Sequence, residues 1–163
     1  MITQLVLTLL LLVLVVVYVS WTAGRLDRLH ARVDAAWAAL DAQLVRRASA
    51  ARAVAAALPD CPEAQELERA ARATLDVGAE GREALENDLS RALRAALAVL
   101  PEDVDLDELS TAATRVGLAR AFHNAAVRDT LVVRLRRIPR GLHLAGHREL
   151  PQYFEIDDTT VPP

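Results

Sequence analysis

Lysine is absent from this sequence, cysteine occurs once, and aromatic residues make up only 4% of the chain. With Cys61 as its only thiol, the chain cannot form an intrachain disulfide, and cysteine gives no sign of an oxidising compartment. The formal net charge of -3 is too close to neutral to indicate nucleic-acid binding by the chain as a whole. Nucleic acid is therefore not an expected partner.

The scarcity of aromatic residues contrasts with a hydrophobic content of 53%, which consists mostly of Ala, Leu and Val. Cores of this composition are typical of closely packed helices, because sheets draw on more aromatic and β-branched residues. A length of 163 residues suits one domain and an anchor. The composition therefore predicts an all-α protein.

The N-terminal segment is the longest apolar run. Residues 2–23 carry no charge, and Tyr18 and Trp21 lie near the end of the run, where aromatic rings favour the membrane interface. About 20 such residues in a helix cross the hydrocarbon core. The alternative is a cleaved signal peptide, but no basic residue precedes the run and the sequence after it is a poor cleavage site. We predict a single transmembrane anchor over residues 1–23.

The charges that flank this anchor predict its orientation. Arg25, Arg28 and Arg32 follow the span, whereas no basic side chain precedes it. The positive-inside rule then leaves the N-terminus outside and the rest of the chain in the cytoplasm. We expect a single-pass protein of the cell (plasma) membrane, with the lipid bilayer as one partner.

Three long helical patterns follow the anchor. The first has apolar residues at steps of three and four, it runs without a break from the anchor to Pro59, and the anchor and this helix are expected to form one rod of more than fifty residues. Its inward residues are predicted to be Leu26, Leu29, Val33, Trp37, Leu40 and Leu44.

The second pattern runs from Glu63 to Leu100, where Gly78 and Gly81 predict a kink, a close helix crossing or a break. Its inward stripe is predicted to consist of Leu67, Ala71, Leu75, Leu85, Leu89, Leu93, Ala96 and Leu100.

The third pattern runs from Leu106 to Ile138 and ends before Pro139. Its inward candidates are Leu109, Ala113, Val116, Ala119, Phe122, Ala126 and Leu131.

Short breaks between long amphipathic helices favour antiparallel neighbours. We therefore predict, over residues 24–156, an antiparallel bundle of three to four long helices behind the transmembrane helix. The apolar residues of the tail, such as Phe154 and Ile156, are expected to fold back onto it, and residues 157–163 to be disordered. A coiled-coil homo-oligomer built on the first helix is the alternative packing.

Two short motifs and the C-terminus suggest a family. The first motif, directly after the anchor, comprises Val33, Trp37, Asp41, Gln43, Leu44, Arg46 and Arg47. The second is Phe122-His123-Asn124-Ala125-Ala126-Val127-Arg128-Asp129, and the chain closes with an aromatic and acidic segment over residues 150–155. The pattern resembles the LemA family, of which this chain would be a divergent member. The resemblance implies an anchored antiparallel bundle and no established catalytic activity.

Charge is unevenly distributed along the chain. Residues 60–108 hold fourteen acidic residues and five arginines, whereas residues 115–148 hold eight arginines and one acid, Asp129. The two stretches are expected to neutralise each other within the bundle. The alternative is a basic patch for anionic lipid headgroups or a partner, consisting of Arg134, Arg136, Arg137 and Arg140.

Other polar residues have structural interpretations. His143, His147 and Glu149 have a spacing that can bind a metal on a helix, but Gly146 lies between them, and ordinary histidines are the better interpretation. Arg46 and Arg47 are expected to pair with the acidic second helix.

Trp37 is expected in the core, and Asn124, next to His123, is expected to be a buried, hydrogen-bonded residue that fixes helix register. Cys61 is expected to be a partly exposed thiol without a redox role.

No nucleophile–base motif, phosphate loop or Cys-x-x-Cys pair is present, so we expect no enzyme, no cofactor and no metal site. The predicted function is a scaffold or interaction module at the cytoplasmic membrane, with an unidentified membrane or cytoplasmic protein partner. The alternative is an anionic-lipid-sensing or envelope-stress component that uses the basic patch.

Overall fold

The computed structural model describes residues 1–76, 78, 81–101, 104–135 and 148–157. Across those ranges the chain forms helices and no strand, which confirms the all-α prediction. The helices are α1 (Ile2–Ala57), α2 (Pro62–Asp76), α3 (Arg82–Leu97) and α4 (Asp107–Arg134).

Helix α1 is a single element of 56 residues. It continues from the apolar N-terminal run into the amphipathic segment, as predicted, because no proline or glycine other than Gly24 interrupts it. The helix ends two residues before Pro59, whose ring excludes the preceding residues from helical geometry. The prediction of one continuous rod is therefore confirmed.

The predicted second helix is two helices, α2 and α3, so the glycines mark a break. Gly81 precedes α3 with φ 75° and ψ 0°, a left-handed conformation that favours glycine. Helix α2 begins at Pro62, where a proline lacks only an N–H that would have no partner inside the helix. Before α4, the Asp105 carboxylate accepts a hydrogen bond of 2.8 Å from the Asp107 N–H.

The chain divides into two compact units. The first comprises Met1–Ala35 and Ala125–Gln152, and the second comprises Ala36–Asn124 and Tyr153–Pro163. Within the first unit, polar contacts join α1 and α4: Arg32 pairs with Asp129 at 3.5 Å, and the Thr130 hydroxyl donates to the Leu29 carbonyl at 3.5 Å. The buried apolar residues of this unit are Leu26, Val33, Ala126, Val127 and Val133.

The second unit holds two clusters of buried apolar residues. The larger cluster is rich in alanine and contains residues of all four helices, among them Leu67, Leu89, Leu93 and Leu109. The smaller cluster consists of Leu40, Leu44, Val116, Phe154 and Ile156, with Trp37 and Ala119 packed against it. The predicted return of the tail is thus confirmed for Phe154 and Ile156, whereas Leu150 and Tyr153 are exposed.

Most of the predicted inward residues are buried or partly buried, but Phe122 is not. Its side chain is 67% exposed, and the neighbouring His123 is buried in its place. The inner stripe of α4 passes from Val116 to His123, a step of seven residues, or two turns. This places Phe122 on the outer face with Leu118, so the prediction for Phe122 was wrong.

Candidate functional site

The apolar N-terminal part of α1 has no protein partner within the described residues. Its large side chains, from Ile2 to Val17, are between 49% and 82% exposed. The helix is long and apolar enough to cross a membrane. At the end of the run the Arg25 guanidinium lies 5.8 Å from the centre of the Trp21 ring, a cation–π contact.

Of the predicted basic patch, the structure describes Arg134 alone; Arg136, Arg137 and Arg140 lie outside the described residues. The Arg134 guanidinium donates to the backbone carbonyls of Arg148 and Glu149, and lies 3.5 Å from His30 Nε2. His30 Nδ1 lies 2.8 Å from the Leu26 carbonyl, which favours the tautomer with its proton on Nδ1. Arg134 thus binds groups of its own unit.

The candidate metal ligands and the single thiol lie partly outside the described residues. His143 and His147 lie outside the described residues, whereas Glu149 is exposed. In the described part of the chain, no group of three or more His, Cys, Asp or Glu side chains is placed to hold a metal ion. Cys61 is a free, partly buried thiol that packs against the larger apolar cluster.

A buried cluster of charged side chains lies between α1 and α3. The Arg47 guanidinium is 3.4 Å from the Glu86 carboxylate, and both side chains are at most 1% exposed. Arg82 approaches the same carboxylate at 3.2 Å, and it also lies 3.3 Å from Asp41. The second guanidinium nitrogen of Arg47 donates to the Ser90 hydroxyl at 2.6 Å. The expected pairing of Arg47 with the acidic stretch is therefore confirmed.

Burial raises the pKa of Glu86, because the charged carboxylate is removed from water. The positive charges of Arg47 and Arg82 act in the opposite direction. On the exposed side of α2, hydrogen bonds from Arg72 and Arg52 hold the pKa of Glu68 below its usual value. The two carboxylates are therefore shifted in opposite directions.

The charged cluster continues into the C-terminal segment. The Ser90 hydroxyl accepts from Arg47 and donates to the backbone carbonyl of Asp157 at 2.7 Å. The Asp157 carboxylate pairs with Arg94 at 2.8 Å. Asp157, the first residue of the stretch predicted to be disordered, is thus held by α3, while residues 158–163 lie outside the described residues.

Trp37 and Asn124 both contact this C-terminal segment. The partly buried Trp37 meets the rings of His123 and Phe154 edge-on, at 5.5 and 5.4 Å between ring centres. Asn124 is hydrogen-bonded, as predicted, but it is only partly buried and its amide bonds to the backbone of Phe154 in the tail. His123 occupies the inner stripe of α4, and the side chain of the neighbouring Asn124 faces the tail.

An exposed apolar surface lies on the outer face of the second unit. Leu118 is 56% exposed and Phe122 is 67% exposed. Together with Ala36 and Ala39 of α1 they line a shallow cavity of about 440 Å³, which is also lined by Ala119 and by the polar residues Gln43, Arg46 and Arg115. Large exposed apolar groups that share one surface are typical of protein contact sites.

Sequence reasoning missed three members of the charged cluster: Arg82, Glu86 and Ser90. They recur at steps of four on α3, interleaved with Leu89 and Leu93, so they share the inner face. The sequence does contain a signal for them, because their spacing places these polar residues on the same face as the leucines.

Comparison with family models, with curated proteins and with solved structures finds no match.

Proposed function

We propose that this chain is a membrane-anchored helical bundle without catalytic activity, which serves as a scaffold or interaction module at the cytoplasmic membrane. The observation that carries the proposal is the N-terminal part of α1. Its side chains are uncharged over residues 2–23 and exposed over residues 2–18, a surface that water solvates poorly and a bilayer solvates well.

Contacts within each unit support an antiparallel bundle. In the first unit, Leu29 and Arg32 of α1 meet Thr130 and Asp129 of α4, so residue numbers rise along one helix as they fall along the other. In the second unit, α2 and α3 pack against each other. These contacts also fit the LemA resemblance, which the proposal adopts for residues 24–156.

An interaction role draws its support from the exposed surface with Leu118 and Phe122. Weak contacts are sufficient to join two proteins that are anchored in the same membrane, because the membrane raises the effective concentration of each for the other. The basic residues after the span, Arg25, Arg28 and Arg32, support a cytoplasmic location for the bundle.

Anionic-lipid sensing is the alternative function, and it has less support. Arg134 donates to carbonyls of its own unit, which leaves fewer of its donors for a phosphate. The juxtamembrane arginines remain compatible with contact to anionic headgroups.

Photo-crosslinking tests the interaction role. A photoreactive amino acid replaces Phe122 in cells, and a matched control replaces Val99, which is also exposed but lies after the end of α3. We expect protein adducts of defined mass from position 122 in the membrane fraction and none from position 99. Position 122 giving only lipid adducts, or the same adducts as position 99, would contradict the interaction role.

A further inference from the structure

The C-terminal segment Tyr153–Asp157 belongs to no helix or strand, yet it is held in place. The side chains that hold it on one side lie on a single face of α3, at successive steps of four, three and four residues. They are Glu83, Asn87, Ser90 and Arg94. Asn124 of α4 lies on the other side of the segment. We call the space between them the tail groove.

On its α3 side, the tail groove binds the backbone of the segment. The Glu155 N–H donates to the Glu83 carboxylate at 2.7 Å, and the Asp157 N–H donates to the Asn87 side-chain oxygen at 2.8 Å. The Ser90 hydroxyl donates to the Asp157 carbonyl at 2.7 Å. These contacts do not depend on the side chains of the segment.

Asn124 completes the backbone recognition from α4. Its amide oxygen accepts from the Phe154 N–H at 2.9 Å, and its amide nitrogen donates to the Phe154 carbonyl at 3.1 Å. A side-chain amide that bonds both backbone groups of one residue replaces the partner strand that an extended peptide would have in a sheet. The tail groove therefore binds an extended main chain through five backbone groups.

Alternate side chains of the segment supply selectivity. Phe154 and Ile156 are buried, at 3% and 7% exposure, whereas Glu155 and Asp157 point outward. Phe154 packs edge-on against Trp37, and the Asp157 carboxylate meets Arg94. This alternation selects a segment that is aromatic, acidic, aliphatic and acidic in successive positions.

We propose that the tail groove is a peptide-binding site. The chain's own Phe154-Glu155-Ile156-Asp157 occupies it in cis, and an extended segment of the same pattern on a protein partner binds it in trans. The inference rests on the proposed interaction role and names the chemistry of the partner. A tethered segment competes at a high effective concentration, so the tail is a built-in inhibitor that a partner must displace.

Binding of a labelled peptide tests this proposal. The probe is a fluorescein-labelled peptide with the sequence of residues 152–157, and the full chain is held in nanodiscs. The Phe154→Ala variant loosens the tail because it removes the buried ring. We expect this variant to bind the peptide at least about tenfold more tightly than the wild-type chain, measured by fluorescence anisotropy.

Two further variants keep the result interpretable. Asp157→Arg places a like charge opposite Arg94 at an exposed position, so it loosens the tail without a cavity in the core. It should also bind the peptide more tightly than wild type. Adding Asn124→Ala to either variant removes the backbone clamp and should abolish the gain. A peptide with alanine in place of its phenylalanine should bind to none of them.

Circular dichroism serves to check that each variant keeps its helices. The proposal is overturned if Asp157→Arg, with wild-type helicity, binds the peptide no more tightly than wild type does. It is also overturned if Asn124→Ala leaves the gain unchanged. Because this measurement uses purified protein, a negative result alongside adducts from position 122 rejects the groove and leaves the interaction role standing.

Discussion

At the scale of single residues, Arg47 connects three parts of the second unit. Its guanidinium lies beside Glu86 and donates to Ser90, which in turn donates to the Asp157 carbonyl. A buried ion pair contributes little net stability by itself, because desolvation of both charges opposes their attraction. Removing one partner is costly, because the other charge then stays buried without compensation.

Arg47→Met should therefore lower the free energy of unfolding by about 3 kcal/mol, since it leaves Glu86 with Arg82 as its remaining close cation. The matched control is Arg46→Met at the adjacent, exposed position, which should change stability by less than about 0.5 kcal/mol. Urea unfolding followed by circular dichroism measures both. Equal effects of the two substitutions would contradict the buried pairing.

Glu86 and Glu68 should affect the pH dependence of stability with opposite signs. The pKa of Glu86 is raised in the fold. Its contribution to the stability of the fold is therefore full below the ordinary glutamate pKa of 4.5 and is lost as pH rises through the folded pKa. The pKa of Glu68 is lowered in the fold. Its contribution to the stability of the fold is therefore present above pH 4.5 and is lost as pH falls through the folded pKa.

Chemical unfolding of Glu86→Gln and Glu68→Gln over a range of pH checks these signs. The stability of wild type relative to Glu86→Gln should decrease as pH rises above 4.5. The stability of wild type relative to Glu68→Gln should increase as pH rises toward 4.5. Trends of the same sign for both variants would show that the charged cluster is solvated.

At the scale of helices, the link between α2 and α3 depends on Gly81. A side chain at its φ of 75° is strained, although an added Cβ would meet no atom within 4 Å. Gly81→Ala should therefore cost about 1–2 kcal/mol through the backbone alone. The control is Gly78→Ala, which also has open space and lacks such a φ; it should change stability by less than about 0.5 kcal/mol. Thermal unfolding separates the two variants.

The helices themselves could be predicted from sequence because their signals are local. The periodicity of apolar residues predicted α1 and most of the inward positions, and Pro59 indicated where α1 ends. The glycines indicated an interruption without deciding between a kink and a break. Phe122 was misplaced because His123, a polar residue, holds the inner position on α4.

The contacts of the charged cluster and the tail groove could not be predicted in the same way. Arg47 and Glu86 are 39 residues apart, and Asn124 and Phe154 are 30 residues apart. No local pattern specifies such pairs, since they arise only when the helices pack. Asn124 was recognised as a hydrogen-bonding residue, but its partner on the tail had no sequence signal.

At the scale of the whole molecule, a long exposed apolar helix continues into a segment with a packed inner face. Residues 2–18 expose apolar side chains, a surface that suits an apolar solvent, whereas the chain after Gly24 carries charged side chains suited to water. We propose that α1 anchors the chain in the membrane and that the bundle lies in the cytoplasm.

Labelling of Cys61, the only thiol in the chain, with a membrane-impermeant maleimide tests this claim most directly. A matched control combines Cys61→Ser with Thr3→Cys, which moves the thiol to the other end of the span. We predict that Cys61 reacts only after the cells are lysed and that Cys at position 3 reacts in intact cells. Labelling of Cys61 in intact cells would contradict the cytoplasmic location and place the bundle on the outer side of the membrane.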